Sequence, residues 1–114
     1  MGLQIDENAN GQTLDVMTGE SVEVRLSENP TTGFRWQLIA DGSPTCAMVE
    51  DSFSAEVRPP GKEGIHTWKF EAVRAGESDI ELQYRRRWET GVDAKKTFRV
   101  HVRVGTGRRG LQRP

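Results

Sequence analysis

Apolar and polar side chains alternate along most of this chain with a period of two. Val22, Val24 and Leu26 interleave with Glu23 and Arg25, and Phe34, Trp36 and Leu38 with Arg35 and Gln37. The same pattern recurs at Phe53, Ala55 and Val57, at Trp68, Phe70 and Ala72, and at Ile80, Leu82 and Tyr84. It is longest at Phe98, Val100, Val102 and Val104. Successive side chains of a strand leave opposite faces, so period two predicts strands. Leu3-Gln4-Ile5 and Leu14-Asp15-Val16 are weaker runs, read as one edge strand interrupted at Asn8 to Gly11. No stretch keeps an apolar stripe at helical spacing over three turns.

One wet face per strand predicts antiparallel sheets. About seven such strands separated by turn residues point to an all-β, immunoglobulin-like antiparallel two-sheet sandwich. The Cys-Trp-Cys signature of antibody domains is absent, but Trp36 is placed to act as a buried tryptophan. Breaks are expected at Ser27 to Gly33, Asp41 to Pro44, Arg58 to Gly64, Ala75 to Ser78 and Trp88 to Ala94.

Composition changes this picture little. The chain has 114 residues, enough for one domain, expected over 1–104. Gly105 to Pro114 carries three Arg and a single apolar side chain, Leu111, and reads as a flexible tail. An apolar fraction of 34% and a mean hydropathy of -0.67 would suit disorder, but the even apolar spacing argues for a fold. The net charge of -1 gives no global field toward nucleic acid or an anionic membrane, and neither partner is expected. No apolar run approaches the roughly 20 residues of a membrane span, and the N-terminus lacks a signal-peptide core. Cys46 is alone, so no internal disulfide forms and the compartment stays open. It is periplasmic or secreted if a leader has been removed, and otherwise cytoplasmic.

Enzymatic chemistry finds no footing. A nucleophile needs a base in reach and the base an orienting partner. The histidines are His66 and His101. His101 falls on the polar face of a strand, and His66 follows a glycine-rich loop and is given a structural or loop role. Cys46 reads as a small buried apolar residue. Two histidines and one cysteine make no convincing zinc set, and no glycine loop precedes a helix. Neither metal nor cofactor is expected.

Three loops are informative. In Asn29-Pro30-Thr31-Thr32-Gly33, proline fixes its own φ and restricts Asn29 to extended backbone. Gly33 can take a positive φ at the strand entry, and the two threonines are stiff at χ1. The result is a preorganised, uncharged, convex tip, although by itself it is read first as an ordinary Asn-Pro turn. Arg58-Pro59-Pro60-Gly61-Lys62-Glu63-Gly64 has a stiff entry and a loose tip, and serves equally as a hairpin connection. Tyr84-Arg85-Arg86-Arg87-Trp88 ends a strand in residue types enriched at binding hot spots. Arginine stacking within the molecule and phosphate binding are its alternatives.

Together the three loops resemble the chagasin family of cysteine protease inhibitors. Asn29-Pro30-Thr31-Thr32-Gly33, followed by Phe34 and Trp36, is similar to the family's first motif without a change. The glycine loop corresponds to Gly61, Lys62, Glu63 and Gly64, and the family's Tyr-x-Arg-Pro-Trp falls on Tyr84, Arg86 and Trp88. Arg87 stands where that motif has proline, and Glu63 where a Gly-Gly pair begins. The resemblance implies a monomeric, non-enzymatic, reversible and non-covalent inhibitor of papain-like cysteine proteases. It places Thr31 and Thr32 over the protease's catalytic pair. Trp88, held by Arg86, would pack on one wall of the cleft and Gly61 to Gly64 would contact the other. An adhesion or ligand-binding module of the same fold is the rival. A nucleic-acid binder using Arg85 to Arg87 with Arg108, Arg109 and Arg113 is a more distant one.

Overall fold

In a computed structural model the described residues form eight strands in two four-stranded sheets. The structure describes residues 2–29, 32–54, 64–86 and 94–106. The strands are β1 (Gly2–Ile5), β2 (Thr13–Met17), β3 (Ser21–Glu28) and β4 (Phe34–Asp41), then β5 (Cys46–Ser54), β6 (Gly64–Ala72), β7 (Gly76–Arg86) and β8 (Lys96–Gly105). Sheet order is β1-β3-β6-β5 in the first and β2-β8-β7-β4 in the second. The all-β two-sheet sandwich is therefore as expected, with eight strands among the described residues.

The period-two phase decides which side chains meet between the sheets. Val22, Val24 and Leu26 on β3 and Trp68 and Phe70 on β6 are fully buried. They close on Ile80 and Leu82 of β7 and Phe98, Val100 and Val102 of β8. Removing each such side chain from water contributes about 1.5–3 kcal/mol, which a domain without disulfides depends on. Trp36 fills the expected buried position: its indole nitrogen donates to the Ser27 carbonyl at 2.9 Å, and its ring lies 4.8 Å from that of Tyr84.

Three expectations need correction. First, the sheets are not purely antiparallel, because β1 pairs parallel to β3 and β2 parallel to β8. Second, Leu3–Ile5 and Leu14–Val16 are not one interrupted edge strand. The 3-10 turn Glu7–Ala9, capped by the Asp6 carboxylate, carries the chain from one sheet to the other with Ala9 buried at the crossing. Each half then pairs at the edge of a different sheet. Third, the run around Phe53 marks the end of β5 and not its body. Only Cys46 of β5 is buried, so a strand held by its ladder to β6 shows no core-facing alternation over most of its length. Ala55 and Val57 lie outside the described residues, as does the expected tail from residue 107 onward.

Candidate functional site at one end of the sandwich

The ladder registers fix where the three notable connections leave the sheets. Glu28 at the end of β3 aligns with Gly64 at the start of β6, and Ile65 with Ser54 at the end of β5. In the other sheet Phe34 at the start of β4 aligns with Arg86 at the end of β7, and Tyr84 with Lys96 at the start of β8. The flanks of segments 29–33, 55–63 and 87–93 therefore share one end of the sandwich. Of the candidate residues, Asn29, Thr32, Gly33, Gly64 and Arg86 are described, while Pro30, Thr31, Gly61, Lys62, Glu63, Arg87 and Trp88 lie outside the described residues.

The first turn is closed by its own backbone and one hydroxyl. The Thr32 amide and hydroxyl both donate to the Asn29 carbonyl, at 3.2 and 2.8 Å. The same hydroxyl oxygen accepts from the Phe34 amide at 3.3 Å, and Gly33 takes the positive φ, +83°, that its absent Cβ permits. The turn is also tied to the third motif. The Asn29 amide donates to the Tyr84 hydroxyl at 3.1 Å and Arg86 Nε to the Thr32 carbonyl at 3.3 Å. The Arg86 guanidinium lies 4.4 Å above the Phe34 ring, and Lys95 Nζ lies 4.7 Å from it. The resemblance uses Tyr84 only as a motif position, whereas the structure gives its hydroxyl to the first turn.

Gly64 is glycine for a reason inside the molecule. A Cβ there would meet the Phe53 ring at 2.5 Å and the Ser54 carbonyl oxygen at 2.6 Å. The root of the middle loop thus needs a bare backbone before any partner arrives.

Beneath the loops lies a polar cluster that the sequence reading missed. Glu28 is 1% exposed, and Oε1 accepts from the Trp36 amide at 3.2 Å and from His66 Nδ1 at 2.9 Å. The Arg35 guanidinium approaches its other oxygen at 3.6 Å. The second ring nitrogen of His66 meets the Asp51 carboxylate, and the ring stacks on Trp68 at 3.9 Å between centroids. Burial pulls the His66 pKa down, but the hydrogen bonds and charges of Glu28 and Asp51 outweigh it and the net shift is upward. His66 therefore belongs to the body of β6, not to a loop. The signal was present in the phase: Glu28 continues the inward series Val22, Val24, Leu26, and His66 the series Trp68, Phe70.

His101 lies on the outer face as expected, between the carboxylates of Glu77 and Asp79 at 2.7 Å each. Cys46 is buried, and burial pushes its thiol pKa up, against a nucleophilic role. It begins β5, at the end of the sandwich away from His66.

The model of the chagasin family of peptidase inhibitors matches residues 15–102. The chain belongs to that family. As a chagasin-family member it is a cysteine protease inhibitor. Chagasin of Trypanosoma cruzi is 31% identical over 111 residues, covering 91% of this chain and 99% of that one. The crystal structure of a cysteine protease inhibitor from Entamoeba histolytica has the same fold, with a TM-score of 0.83 at 24% identity over 90% of this chain and 95% of that one. PbICP-C, solved in complex with falcipain-2, shares the fold at a TM-score of 0.59 and 18% identity, over 90% of this chain and 98% of that one.

Proposed function

We propose that this chagasin-family chain inhibits papain-like cysteine proteases as a reversible, non-covalent wedge. Asn29 to Gly33 enters the active-site cleft between Gly61–Gly64 on one side and Arg86, Arg87 and Trp88 on the other. The observation that carries this reading is the shared end from which all three connections leave the sheets. Protease–inhibitor interfaces bury about 800 Å² per partner, which three short loops supply only when contiguous. The bonds that close the first turn and tie it to β7 reduce the freedom lost on binding, so more of the contact energy appears as affinity. The wedge offers no electrophile, so inhibition is reversed by dilution. It acts as a monomer, since the loop end must stay open to the protease.

Titration of papain tests the reading. Inhibition at or below micromolar inhibitor is expected, and Thr31→Ala and Trp88→Ala should each weaken it by ~2 kcal/mol or more. Absence of inhibition at micromolar concentration refutes the function, and unchanged constants in both variants refute the assignment of the wedge.

A further inference from the structure

The Glu28–His66–Asp51 cluster has a chemistry that the wedge itself does not use. A neutral imidazole carries one N–H and cannot donate to two carboxylates at once. His66 faces a carboxylate at each ring nitrogen, Glu28 on β3 and Asp51 on β5, so the arrangement is complete only for the imidazolium. Glu28 is the residue directly before the first turn, and it accepts the amide of Trp36 on the strand directly after it. Those two strands belong to different sheets. Asp51 lies on the strand that leads into segment 55–63, and His66 on the strand that leaves it. One cation thus joins the roots of two of the three loops.

We propose that His66, as an imidazolium held between Glu28 and Asp51, is a positioning residue that fixes the roots of the inhibitory loops. This rests on the proposed use of that end as the protease-binding wedge. The device is pH-dependent, and its direction follows from the groups around it. Among the described residues, the charged groups that pair in this cluster are Glu28, Asp51 and the Arg35 guanidinium from β4. Loss of the His66 proton takes from Glu28 a cation at 2.9 Å and leaves it the more distant Arg35 guanidinium at 3.6 Å. With the folded pKa raised, the clamp is fully present below the ordinary histidine value. It is lost as pH rises through the folded value. Loop positioning, and with it affinity, therefore weakens toward alkaline pH.

The test compares wild type with His66→Gln on one papain preparation across pH 5 to 9, so that the protease's own titration cancels in the ratio of inhibition constants. Glutamine keeps a donor and loses the charge. Wild type should inhibit about tenfold better at the acid end, the scale of a lost charged hydrogen bond, and the two should converge at the alkaline end. Asp51→Asn keeps the buried half of the clamp and should move the wild-type midpoint to lower pH; it also serves if His66→Gln fails to fold. A ratio constant across pH, or equal constants throughout, overturns the proposal. If wild type inhibits at no pH, the inhibitory reading fails separately. The clamp is then judged by hydrogen exchange at the Trp36 amide, whose protection should fall as His66 titrates in a ring-proton NMR experiment. Protection that ignores that titration overturns it.

Discussion

The two histidines of this chain sit in the same local chemistry and in different places. Each has a carboxylate at both ring nitrogens, and the pKa of each is raised. The His101 side chain is 39% exposed on the outer face of a sheet, and both its partners come from the neighbouring strand β7. The His66 side chain is 14% exposed, one of its partners is buried, and its contacts join three strands, with Arg35 and Trp36 of the opposite sheet on the same carboxylate. The comparison separates a charge ladder that water screens from a charge cluster that replaces apolar core. In the first the ion pairs are dispensable. In the second, Asp51 and Arg35 keep contact with solvent, but removing His66 leaves the buried Glu28 carboxylate short of a partner away from water.

The largest test of that contrast is Glu28→Ala. It leaves the Trp36 amide without its acceptor and His66 with one carboxylate, and a loss of about 3 kcal/mol in denaturant unfolding is expected, as for a broken buried pair. A loss no greater than that of an ordinary surface substitution would show that the cluster is as dispensable as the ladder. Gly64→Ala probes the same end through packing. Its Cβ collides with Phe53 and the Ser54 carbonyl, and an overpacking cost on the order of 1–3 kcal/mol should appear in the unfolding midpoint. The smallest effect is expected for His101→Gln, whose midpoint should stay close to wild type near neutral pH. Both histidines stabilise the fold below their unfolded pKa and lose that contribution as pH rises. Wild type should therefore weaken from pH 6 to 9, and the slope should flatten more in His66→Gln than in His101→Gln.

What the sequence made legible follows from the same physics. Strands β3, β4, β6, β7 and β8 show their phase because one face of each meets the opposite sheet. Strand β5 hides because most of it meets no second sheet, and alternation records burial rather than backbone pairing. The N-terminal runs had the right period but no mark of which sheet they join, since a two-residue repeat carries no partner information. At the loop end the Asn29–Gly33 turn was readable from proline and glycine alone. Glu28 and His66 carried the inward phase of their strands, but polar residues at inward positions look like breaks in a pattern until such partners, 38 residues apart, are brought together.

The crossing at Glu7–Ala9 gives the sandwich a bound spine. Residues 2–17 lace both sheets along the side where β1 and β2 lie, while at the opposite fore-edge β4 passes into β5 through residues 42–45, at the end of the sandwich away from the loops. Two of the loop roots, Phe34 and Ser54, begin or end strands on that fore-edge. The width of the working end is therefore governed where the chain itself passes between the leaves, from Glu28 of β3 to Phe34 of β4, together with the Glu28 contacts to Arg35 and Trp36 that reach from leaf to leaf there.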